Sequence, residues 1–578
     1  MYRTNTCGEL RKENIGKEVK LAGFIQKIRK MGHMTFIDLK DHYGITQIVL
    51  GDNLKDKVQE LTTQACVQVE GVVIERSNKN LNIPTGEIEI DVKNIKILGD
   101  APRNLPFEIN EDYKNNREDL RLEYRFLDLR NDEIHKNIVL RSKILKDTRN
   151  IMDEMGFIEI QTPIFASSSP EGARDYLVPS RLHPGEFYAL PQAPQQFKQL
   201  LMVSGFDKYY QIAPCFRDED PRADRSPCEF YQLDFEMAFA EEEDVLKVLE
   251  NFGQKIFNLN AKDGMIVEKE MPRIKYFDAL EKYGTDKPDL RNPLITVNLK
   301  EELSSGEIPF IKGMEVVGIK TKNILTRKKY DEIVKQMEEK HQMKVYYTKY
   351  ENGEFSSGFS KFITEELKQK LEKKLGKFEN EQSLFIVAGE KSLDTKKNAG
   401  ELRNVLGNVF DLIDKTKFKL CFIVDFPMYE LNDEGDLDFA HNPFSMPQGE
   451  MKSLNEKDPL DILAYQYDMV CNGFEIASGA VRNHDTNIMK KAFEIVGYKE
   501  DEVERRFKAL YNAFKFGPPP HAGAAPGLDR IIMLLAGTDN IREIIAFPKN
   551  SKARDLMMGA PSKVTEEQLK ELHIKLRD

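Results

Sequence analysis

A charged segment between two predicted strands contains the residue types that bind anions. The apolar run at 209–216 predicts a strand that leads into this segment, and the alternating run at 230–236 predicts a strand that leaves it. Three arginines, several carboxylates and two prolines lie between the runs. A solvated surface loop would explain these charges, but polar residues continue along one face of the second strand, at Gln232, Asp234 and Glu236. This pattern predicts a site on the floor of a sheet that holds a charged ligand.

The composition predicts a globular protein of several domains. The chain has 578 residues, of which 31% are charged and 40% hydrophobic, and its net charge is −11. A nucleic acid would therefore have to meet a local basic patch. The six cysteines include no CxxC pair, which disfavours a zinc site or a disulfide framework. The start lacks the apolar core of a signal peptide and no apolar run approaches about 18 residues, so we expect a cytoplasmic protein with no membrane segment.

The first 103 residues (1–103) predict a small β-barrel. Five short apolar or alternating runs are separated by turn residues, and a helical segment at 54–61 follows the third run. This order is typical of the OB-fold, a five-stranded barrel that often binds oligonucleotides. A basic turn at 27–33 lies just before Phe36, and positive charge beside an aromatic ring suits single-stranded bases. A core position is the alternative for Phe36, and the barrel pattern alone leaves both open.

A charge-dense hinge at 104–140 precedes a long predicted helix. Apolar residues recur at helical spacing from Leu140, and Gly156 is suited to a left-handed C-cap. A strand then runs to Pro163. This unit has more apolar surface than one helix must bury within a domain, which favours a subunit interface.

The remaining chain predicts an α+β domain that is interrupted by a second one. Residues 141–285 and 421–557 share polar strand ends, whereas 286–420 is rich in lysine and glutamate and contains no recognisable motif. We therefore predict an inserted α+β domain at 286–420. A C-terminal extension at 558–578 has the apolar spacing of a helix that reaches Leu576.

Several motifs resemble those of a known enzyme class. Three of them occur in order, namely helix–Gly–strand–Pro at 141–163, FRDE at 216–219 and GLDR at 527–530. They resemble motifs 1, 2 and 3 of the class II aminoacyl-tRNA synthetases, whose catalytic domain is built on an antiparallel sheet. The PEGARDY segment at 170–176, Glu475 followed seven residues later by Arg482, and the predicted barrel are similar to bacterial-type aspartyl-tRNA synthetases. The resemblance covers essentially the whole chain, and that family carries an inserted domain at the same place.

The resemblance implies a homodimeric aspartate–tRNA ligase that uses ATP and Mg²⁺. Aspartate would form aspartyl-adenylate, which the 3′ ribose hydroxyl of tRNA-Asp then attacks; a relaxed enzyme that also charges tRNA-Asn is the alternative. Arg217 is the catalytic candidate, because a guanidinium can bridge the α-phosphate and the carboxylate and stabilise the charge that builds there. The ATP-binding residues implied are Arg217, Asp218, Glu219, Glu475, Gly527, Leu528, Asp529 and Arg530. Mg²⁺ would be held by Asp468 and Glu475.

The resemblance also implies a pocket for aspartate. Its residues are Glu171, Gln195, Lys198, Arg217, Asp234, His441 and Arg482. Lys198 and Arg482 would hold the side-chain carboxylate of the substrate. Two cations in one pocket repel each other unless an anion lies between them, so we expect discrimination against neutral asparagine by about 10⁴-fold or more. An asparagine or lysine enzyme of the same class, and a non-enzymatic paralogue that binds nucleic acid, are the competing hypotheses.

In the barrel, the resemblance implies that Arg29, Phe36 and Gln47 contact anticodon bases, with Phe36 stacking on one of them. Met31 occupies a position associated with the choice between strict and relaxed tRNA recognition, and it resembles the leucine of strict members more than the histidine of relaxed ones.

Two further positions depart from the family pattern. Ser226 stands where many members have a glutamine that contacts ATP, and the segment before Phe230 is one residue longer than usual. Asn442 follows His441 where a second histidine is common. The resemblance therefore does not carry the ATP contact of that glutamine over to Ser226.

Overall fold

The structure is a computed structural model that describes residues 1–168, 173–219, 223, 228–304, 308–432 and 434–577. The chain divides into two units, Met1–Glu133 and Ile134–Asp578. Among the described residues, no helix is both long and apolar enough to cross a membrane.

Five strands of the first unit form a closed barrel, which confirms the predicted OB-fold. Their bounds are Glu18–Met31, Met34–Lys40, Ile45–Leu50, Cys66–Glu75 and Ile88–Gly99, with the helix Lys55–Glu60 after the third strand. Side chains of the second strand alternate, with Thr35, Ile37 and Leu39 buried inside the barrel and Phe36 half-buried on the outside. Phe36 therefore does not take the core position that the barrel pattern left open as the alternative.

The basic turn predicted at 27–33 is mostly strand. The first strand continues to Met31 and pairs with the second through Arg29 opposite Phe36 and Met31 opposite Met34. Only Gly32, with φ 59°, and His33 remain to make the turn. Among the basic side chains, Lys27 and Arg29 therefore lie on the strand face that carries Phe36, whereas Lys30 lies on the other face.

Two short helices, Glu118–Glu123 and Arg125–Asp128, follow the barrel. The helix Asp132–Glu154 begins earlier than the predicted start at Leu140, because the side chain of Asn131 accepts a hydrogen bond from the Glu133 N–H at 3.0 Å. It ends as predicted, with Gly156 at φ 79°.

An eight-stranded sheet forms the floor of the second unit. In spatial order its strands are Arg273–Lys275, Leu420–Pro427, Leu463–Cys471, Phe474–Val481, His521–Pro526, Cys228–Ala238, Lys208–Arg217 and Ile158–Glu159. All neighbours are antiparallel except the outermost pair at each edge. We call Lys208–Arg217 the incoming strand and Cys228–Ala238 the outgoing strand.

Three helices cover one face of this sheet: Asp132–Glu154, Glu242–Asn260 and Leu528–Ala536. Leu233 and Phe235 of the outgoing strand belong to the core that these helices bury. Because successive strand residues point to opposite faces, Gln232, Asp234 and Glu236 lie on the other face, as the sequence predicts.

The other described elements of this unit surround the sheet. The helices are Gln195–Val203, Tyr276–Tyr283, Glu450–Glu456, Thr486–Ile495, Glu500–Arg506, Lys508–Ala513 and Glu566–Glu571. Small two-stranded sheets pair Leu177–Pro179 with Phe187–Ala189, Ile266–Val267 with Lys417–Phe418, and Tyr429–Leu431 with Leu437–Phe439. The last helix has a capping box at Thr565, but it ends before Leu576 because His573 adopts a φ of 56°.

A second sheet lies within 286–420, where the sequence predicts an inserted domain. Its strands in spatial order are Val297–Asn298, Glu315–Thr321, Gln382–Gly389, Val345–Glu351 and Glu354–Ser356, all antiparallel. Its helices are Lys300–Leu303, Arg327–His341, Glu365–Leu375 and Ser392–Val409. Two separate apolar clusters cover its two faces, so this sheet has its own core.

Candidate active site

A polar cavity of about 260 Å³ lies on the face of the eight-stranded sheet that carries Gln232 and Asp234. It brings together predicted residues from segments that are far apart in sequence: Gln195, Lys198, Arg217, Asp234, His441, Asp468, Glu475 and Arg482. A second cavity of about 90 Å³ is lined by Gly527, Asp529 and Arg530 of the third motif. Both cavities share Arg217 and Glu475, so these two residues lie at the junction between them.

Four buried charged side chains form what we call the matched cluster: Lys198, Asp234, Glu236 and Arg482. The Lys198 Nζ lies 2.8 Å from Asp234 Oδ1 and 3.5 Å from Glu236 Oε2. The Arg482 guanidinium binds Glu236 through two nitrogens, at 2.8 and 3.2 Å. Each side chain is at most 2% exposed, so every charge depends on its partners rather than on water.

The two carboxylates of the matched cluster differ in their pKa values. Burial acts against the charge of Glu236, but Arg482 and Lys198 outweigh burial and hold its pKa below the ordinary value. For Asp234, burial dominates and raises the pKa despite the contact with Lys198. Glu236 is therefore the firmly ionised member, and Asp234 is the carboxylate that gains most from a further cationic partner.

The matched cluster corrects one step of the sequence reasoning. We expected Lys198 and Arg482 to face each other with only the substrate between them. Instead Glu236 already contacts both of them, and Asp234 contacts Lys198. Two acids therefore balance the charges of Lys198 and Arg482. Among the described side chains that line the cavity, Arg217 supplies the positive charge in excess of this balance. Discrimination by charge must come from this balance and from hydrogen bonding, rather than from two bare cations.

Several buried polar atoms at the cavity wall have no hydrogen-bond partner among the described residues. They are Gln195 Nε2, Arg217 Nε, Asp234 Oδ2 and Gln466 Oε1. Unsatisfied buried polar atoms are uncommon in folded proteins, and each carries a desolvation penalty. Their concentration here, with two donors and two acceptors, indicates a ligand with both kinds of group.

A second pair of acids, Asp468 and Glu475, lies on two adjacent strands at the other side of the cavity, and we call it the carboxylate pair. Burial raises the pKa of Asp468 well above its ordinary value, and the nearby charge of Glu475 raises it further. Lys287 is close, with its Nζ 3.5 Å from Glu475 Oε2, but it is about one-third exposed. The pair could hold a divalent cation together with oxygens from a substrate. Among the described residues, no group of three or more potential metal ligands occurs.

Arg217 ends the incoming strand and lies opposite Cys228. Its guanidinium carbon is 5.0 Å from the centre of the Phe230 ring, which supports the side chain from one side. Pairing of the two strands is unbroken from Cys228–Arg217 to Met237–Lys208.

The third motif is fixed to the sheet by its own side chains. Asp529 accepts hydrogen bonds from Arg141 at 2.6 Å and from the Tyr231 N–H at 3.1 Å, so both of its oxygens contact protein groups. Arg530 donates to the Glu475 carbonyl at 2.6 Å, which links the second cavity to the carboxylate pair. Leu528 is fully buried in the core, so its backbone is the part that can approach a nucleotide.

The other predicted residues lie at the margins or outside the described part. Asp218 and Glu219 do not line either cavity; the Asp218 N–H donates to the Arg174 carbonyl at 3.0 Å. His441 is exposed at the first cavity, and its ring packs edge-on against Phe426 at 4.9 Å. Glu171 and Ser226 lie outside the described residues.

On the barrel, two of the three predicted residues, Arg29 and Gln47, belong to one polar row. Arg29 binds Asp38 through two nitrogens at 2.7 Å and donates to the Gln47 side-chain oxygen at 3.0 Å. Gln47 in turn donates to Glu89 at 2.5 Å. Phe36 lies opposite Arg29, half-buried on the same outer surface, and Met31 is exposed at the tip of the hairpin.

Sequence reasoning missed several residues of these sites. Glu236 stood out only as a polar residue on the face of Asp234, and Asp38 and Glu89 had no visible signal at all. Lys287 lies in a segment with no recognised motif. Gln466 could have been noticed, because it precedes Asp468 on the same strand face.

Comparisons with known proteins agree with this architecture. A family model described as class II tRNA synthetases (D, K and N) matches residues 117–551, and one described as an OB-fold nucleic acid binding domain matches residues 19–98. The chain is 49% identical to the aspartate–tRNA(Asp/Asn) ligase of Zymomonas mobilis subsp. mobilis, over 100% of this chain and 98% of that protein. It is 48% identical to the aspartate–tRNA ligase of Streptomyces coelicolor, over 100% of this chain and 99% of that protein.

Solved structures show the same fold at low identity. The asparaginyl-tRNA synthetase from Pyrococcus horikoshii complexed with asparaginyl-adenylate superimposes with a TM-score of 0.60 at 18% identity, over 95% of this chain and 98% of that one. A putative aspartyl-tRNA synthetase from Leishmania major gives a TM-score of 0.58 at 20% identity, over 95% and 93%. With the closed barrel, the antiparallel sheet and the whole-length relatives taken together, the chain belongs to the class II tRNA synthetases of the aspartate, lysine and asparagine group and, within it, to the aspartate–tRNA ligase family.

Proposed function

We propose that this enzyme joins L-aspartate to tRNA-Asp in two steps, with ATP as the activating substrate. The observation that carries the proposal is the cavity in which the matched cluster, Arg217 and the carboxylate pair meet. Whole-length relatives named aspartate–tRNA ligase support the choice of amino acid. The competing non-enzymatic hypothesis loses support, because Arg217, Arg482 and Arg530 all line these cavities.

The matched cluster would orient aspartate. The free Oδ2 of Asp234 and its raised pKa suit the α-ammonium group of the substrate, whose positive charge would restore the ionised carboxylate. Lys198 and Arg482 would then bind the side-chain carboxylate while Glu236 keeps both of them charged and in place. An asparagine amide would present donors where these cations also donate, so its binding leaves buried groups unsatisfied.

Arg217 would act at the reacting atoms. An oxygen of the aspartate α-carboxylate attacks the α-phosphorus of ATP, the bond to the bridging oxygen of the β-phosphate breaks, and pyrophosphate leaves. Negative charge builds on the α-phosphate during this step. The position of Arg217 at the junction of both cavities suits a guanidinium that contacts the carboxylate and the phosphate together.

The nucleotide would occupy the second cavity and the junction. Arg530 and the ring of Phe230 line this cavity and offer a cation and an apolar surface to ATP. Asp468 and Glu475 fit a Mg²⁺ ion, because the raised pKa of Asp468 reflects a carboxylate repulsion that a divalent cation relieves. When bound, Mg²⁺ would supply positive charge to the triphosphate.

In the second step, the ribose hydroxyl at the 3′ end of the tRNA attacks the carbonyl carbon of aspartyl-adenylate, and AMP leaves. The outer face of the barrel would bind the anticodon, with Phe36 as a stacking surface beside Arg29. The polar row of Arg29, Asp38 and Gln47 holds the donors and acceptors of this face in fixed positions.

The proposal includes a homodimer in the cytoplasm, where ATP and tRNA are supplied. Apolar side chains after the first long helix support a second copy as the partner: Ile158 is 55% exposed and Phe165 is 57% exposed. Phe165 packs edge-on against Tyr188, also exposed, which extends the apolar surface. Sedimentation of the full chain should give twice the monomer mass, and Phe165→Ser should shift it toward the monomer.

Aminoacylation with separate tRNA-Asp and tRNA-Asn transcripts tests the function and its main alternative together. We expect charging of tRNA-Asp with aspartate. Met31 favours the strict enzyme, whereas relatives of nearly equal identity are named for either tRNA-Asp alone or both tRNAs. Aspartate charging of tRNA-Asn at a comparable rate would establish the relaxed alternative, and no charging of either would refute the proposed function.

A further inference from the structure

The segment that leads into the inserted domain reaches the nucleotide side of the active site. Lys287 lies four residues after the helix Tyr276–Tyr283, and its Nζ is 3.5 Å from Glu475 Oε2 and 2.5 Å from Asp286 Oδ2. The Lys287 N–H donates to Thr285 Oγ1 at 3.1 Å, which fixes the local turn. Because Glu475 lines both cavities, this lysine contacts the carboxylate at their junction.

The inserted domain holds the same segment from the other end. Arg403 on the helix Ser392–Val409 is fully buried and donates to three backbone carbonyls: Asp289 at 3.0 Å, Asn292 at 2.7 Å and Leu294 at 2.5 Å. The Asn292 side chain donates back to the Arg403 carbonyl at 2.9 Å. Since Arg403 binds backbone atoms, it fixes the path of the chain at 289–294, which we call the anchored segment.

The anchored segment is packed between the inserted domain and the sheet of the active site. A Cβ added at Gly407 of the inserted helix would overlap the Asn292 amide at 2.3 Å. On the opposite side, a Cβ at Gly473 would lie 3.5 Å from the Asp289 Cβ. Gly473 is in the turn that joins the two strands carrying Asp468 and Glu475, so the segment rests directly against the support of the carboxylate pair.

We propose that Lys287 is a positioning residue for the carboxylate pair and that the inserted domain keeps it there through Arg403. Without nucleotide, the lysine offsets the repulsion between Asp468 and Glu475 and restrains Glu475. A divalent cation that enters with ATP brings the same compensation, so its charge and that of Lys287 compete for Glu475. The inference deepens the proposed function and rests on it, because the carboxylate pair is assigned there to the nucleotide.

Binding of Mn²⁺ to the nucleotide-free full chain tests the inference without turnover. Loss of the competing cation in Lys287→Gln should tighten Mn²⁺ binding. We expect a change of about threefold to tenfold, because Lys287 and Glu475 are both partly exposed and solvent weakens their interaction. Lys287→Arg should bind Mn²⁺ as the natural chain does. Lys275→Gln is the matched control, because Lys275 also pairs with one carboxylate, Asp425, at 3.4 Å, and it should leave Mn²⁺ binding unchanged.

A merely structural lysine would lower thermal stability in Lys287→Gln without tightening Mn²⁺ binding, so unchanged or weaker Mn²⁺ binding overturns the inference. Equal tightening in Lys275→Gln would overturn it as well, because the effect would then be a general change of charge. Aspartate-dependent exchange of pyrophosphate into ATP by the natural chain tests the proposed function separately, since the Mn²⁺ comparison needs no activity.

The part played by Arg403 has its own test. Arg403→Lys keeps the positive charge, but a lysine cannot donate to all three carbonyls. A cooperative melting transition of the variant establishes that it is folded. We expect tighter Mn²⁺ binding than in the natural chain, by less than in Lys287→Gln, because the lysine is displaced rather than removed. A folded Arg403→Lys variant with the natural Mn²⁺ affinity would show that the inserted domain does not position Lys287.

Discussion

Two pairs of acids face the same cavity and differ in how their charge is compensated. Asp234 and Glu236 each contact a buried cation, and the pKa of Glu236 is lowered although the residue is fully buried. Asp468 and Glu475 share one partly exposed lysine, and the pKa of Asp468 is raised. Each acid of the matched cluster therefore has a buried cationic partner before any ligand binds, with one oxygen of Asp234 left for a ligand, whereas the carboxylate pair has one partly exposed lysine.

This difference separates the two substrates. A preformed set of paired charges recognises an amino acid by the geometry of its ammonium and carboxylate groups, with little rearrangement. A pair of acids that lacks compensation favours a ligand that brings its own cation, as a metal–nucleotide complex does. Each of the following predictions perturbs one side of the cavity and leaves the other as its reference.

The largest effect is expected from Arg482→Gln, which leaves Glu236 buried with only the longer contact to Lys198. The free energy of unfolding should fall by about 3–5 kcal/mol, measured by urea denaturation. The double variant with Glu236→Gln should recover part of this loss, because it removes the uncompensated charge. As a control, Arg149→Gln breaks an exposed ion pair with Glu159 and should change stability by about 1 kcal/mol or less. A similarly small change in Arg482→Gln would show that the cluster is not energetically matched.

The next largest effect concerns Arg217, which lies between the two sides. Arg217→Gln should lower the rate of aspartate-dependent pyrophosphate exchange by about 10²–10³-fold, because one preorganised donor to the developing charge is lost. Arg217→Lys should recover little of the rate, since an ammonium cannot bridge the two anions as a guanidinium does. Thermal unfolding should be nearly unchanged in both variants. Exchange at the natural rate in Arg217→Gln would remove this residue from the proposed mechanism.

A smaller effect is expected on the other side of the cavity. Asp468→Asn should raise the Mg²⁺ concentration for half-maximal exchange by at least about tenfold, because one anionic ligand is lost. Stability should not fall, since the repulsion between Asp468 and Glu475 is relieved. Asp425→Asn, outside the cavity, should leave the Mg²⁺ requirement as it is. An unchanged Mg²⁺ requirement in Asp468→Asn would place the metal elsewhere.

The smallest effect is a pH dependence beside the matched cluster. Burial lowers the pKa of His521 to about 4, and Arg482 acts in the same direction. The folded protein excludes the proton that the unfolded chain binds near its ordinary value of 6.5, so stability is lost as the pH falls below 6.5 toward 4. This residue should contribute a loss of about 1 kcal/mol between pH 7 and pH 5.5. Denaturation of the natural chain and His521→Gln at both pH values measures it, and equal losses in the two proteins would contradict it.

Local patterns in the sequence predicted the elements that position the site. The barrel strands, the outgoing strand with Asp234 and Glu236 on one face, and the stop at Gly156 all follow from periodicity and turn chemistry over a few residues. The helix start before Leu140 was missed because its cap, Asn131, lies in a charge-dense segment that hides the apolar spacing.

Long-range contacts decided what the sequence could not predict. Arg482 meets Glu236 across 246 residues of chain, and the contact depends on the register of three strands. The resemblance identified Lys198, Asp234 and Arg482 but not Glu236, so the charge balance of the pocket was misjudged. Lys287 lies in a segment without periodicity, and only the fold brings it to Glu475.

The central claim is that the matched cluster, together with the positive charge of Arg217, selects aspartate. The most direct test measures the exchange of pyrophosphate into ATP by the natural chain, once with aspartate and once with asparagine as the amino acid. We predict a preference for aspartate of about 10⁴-fold or more in kcat/KM. Exchange with asparagine at a comparable rate, or no exchange with aspartate, would contradict the account.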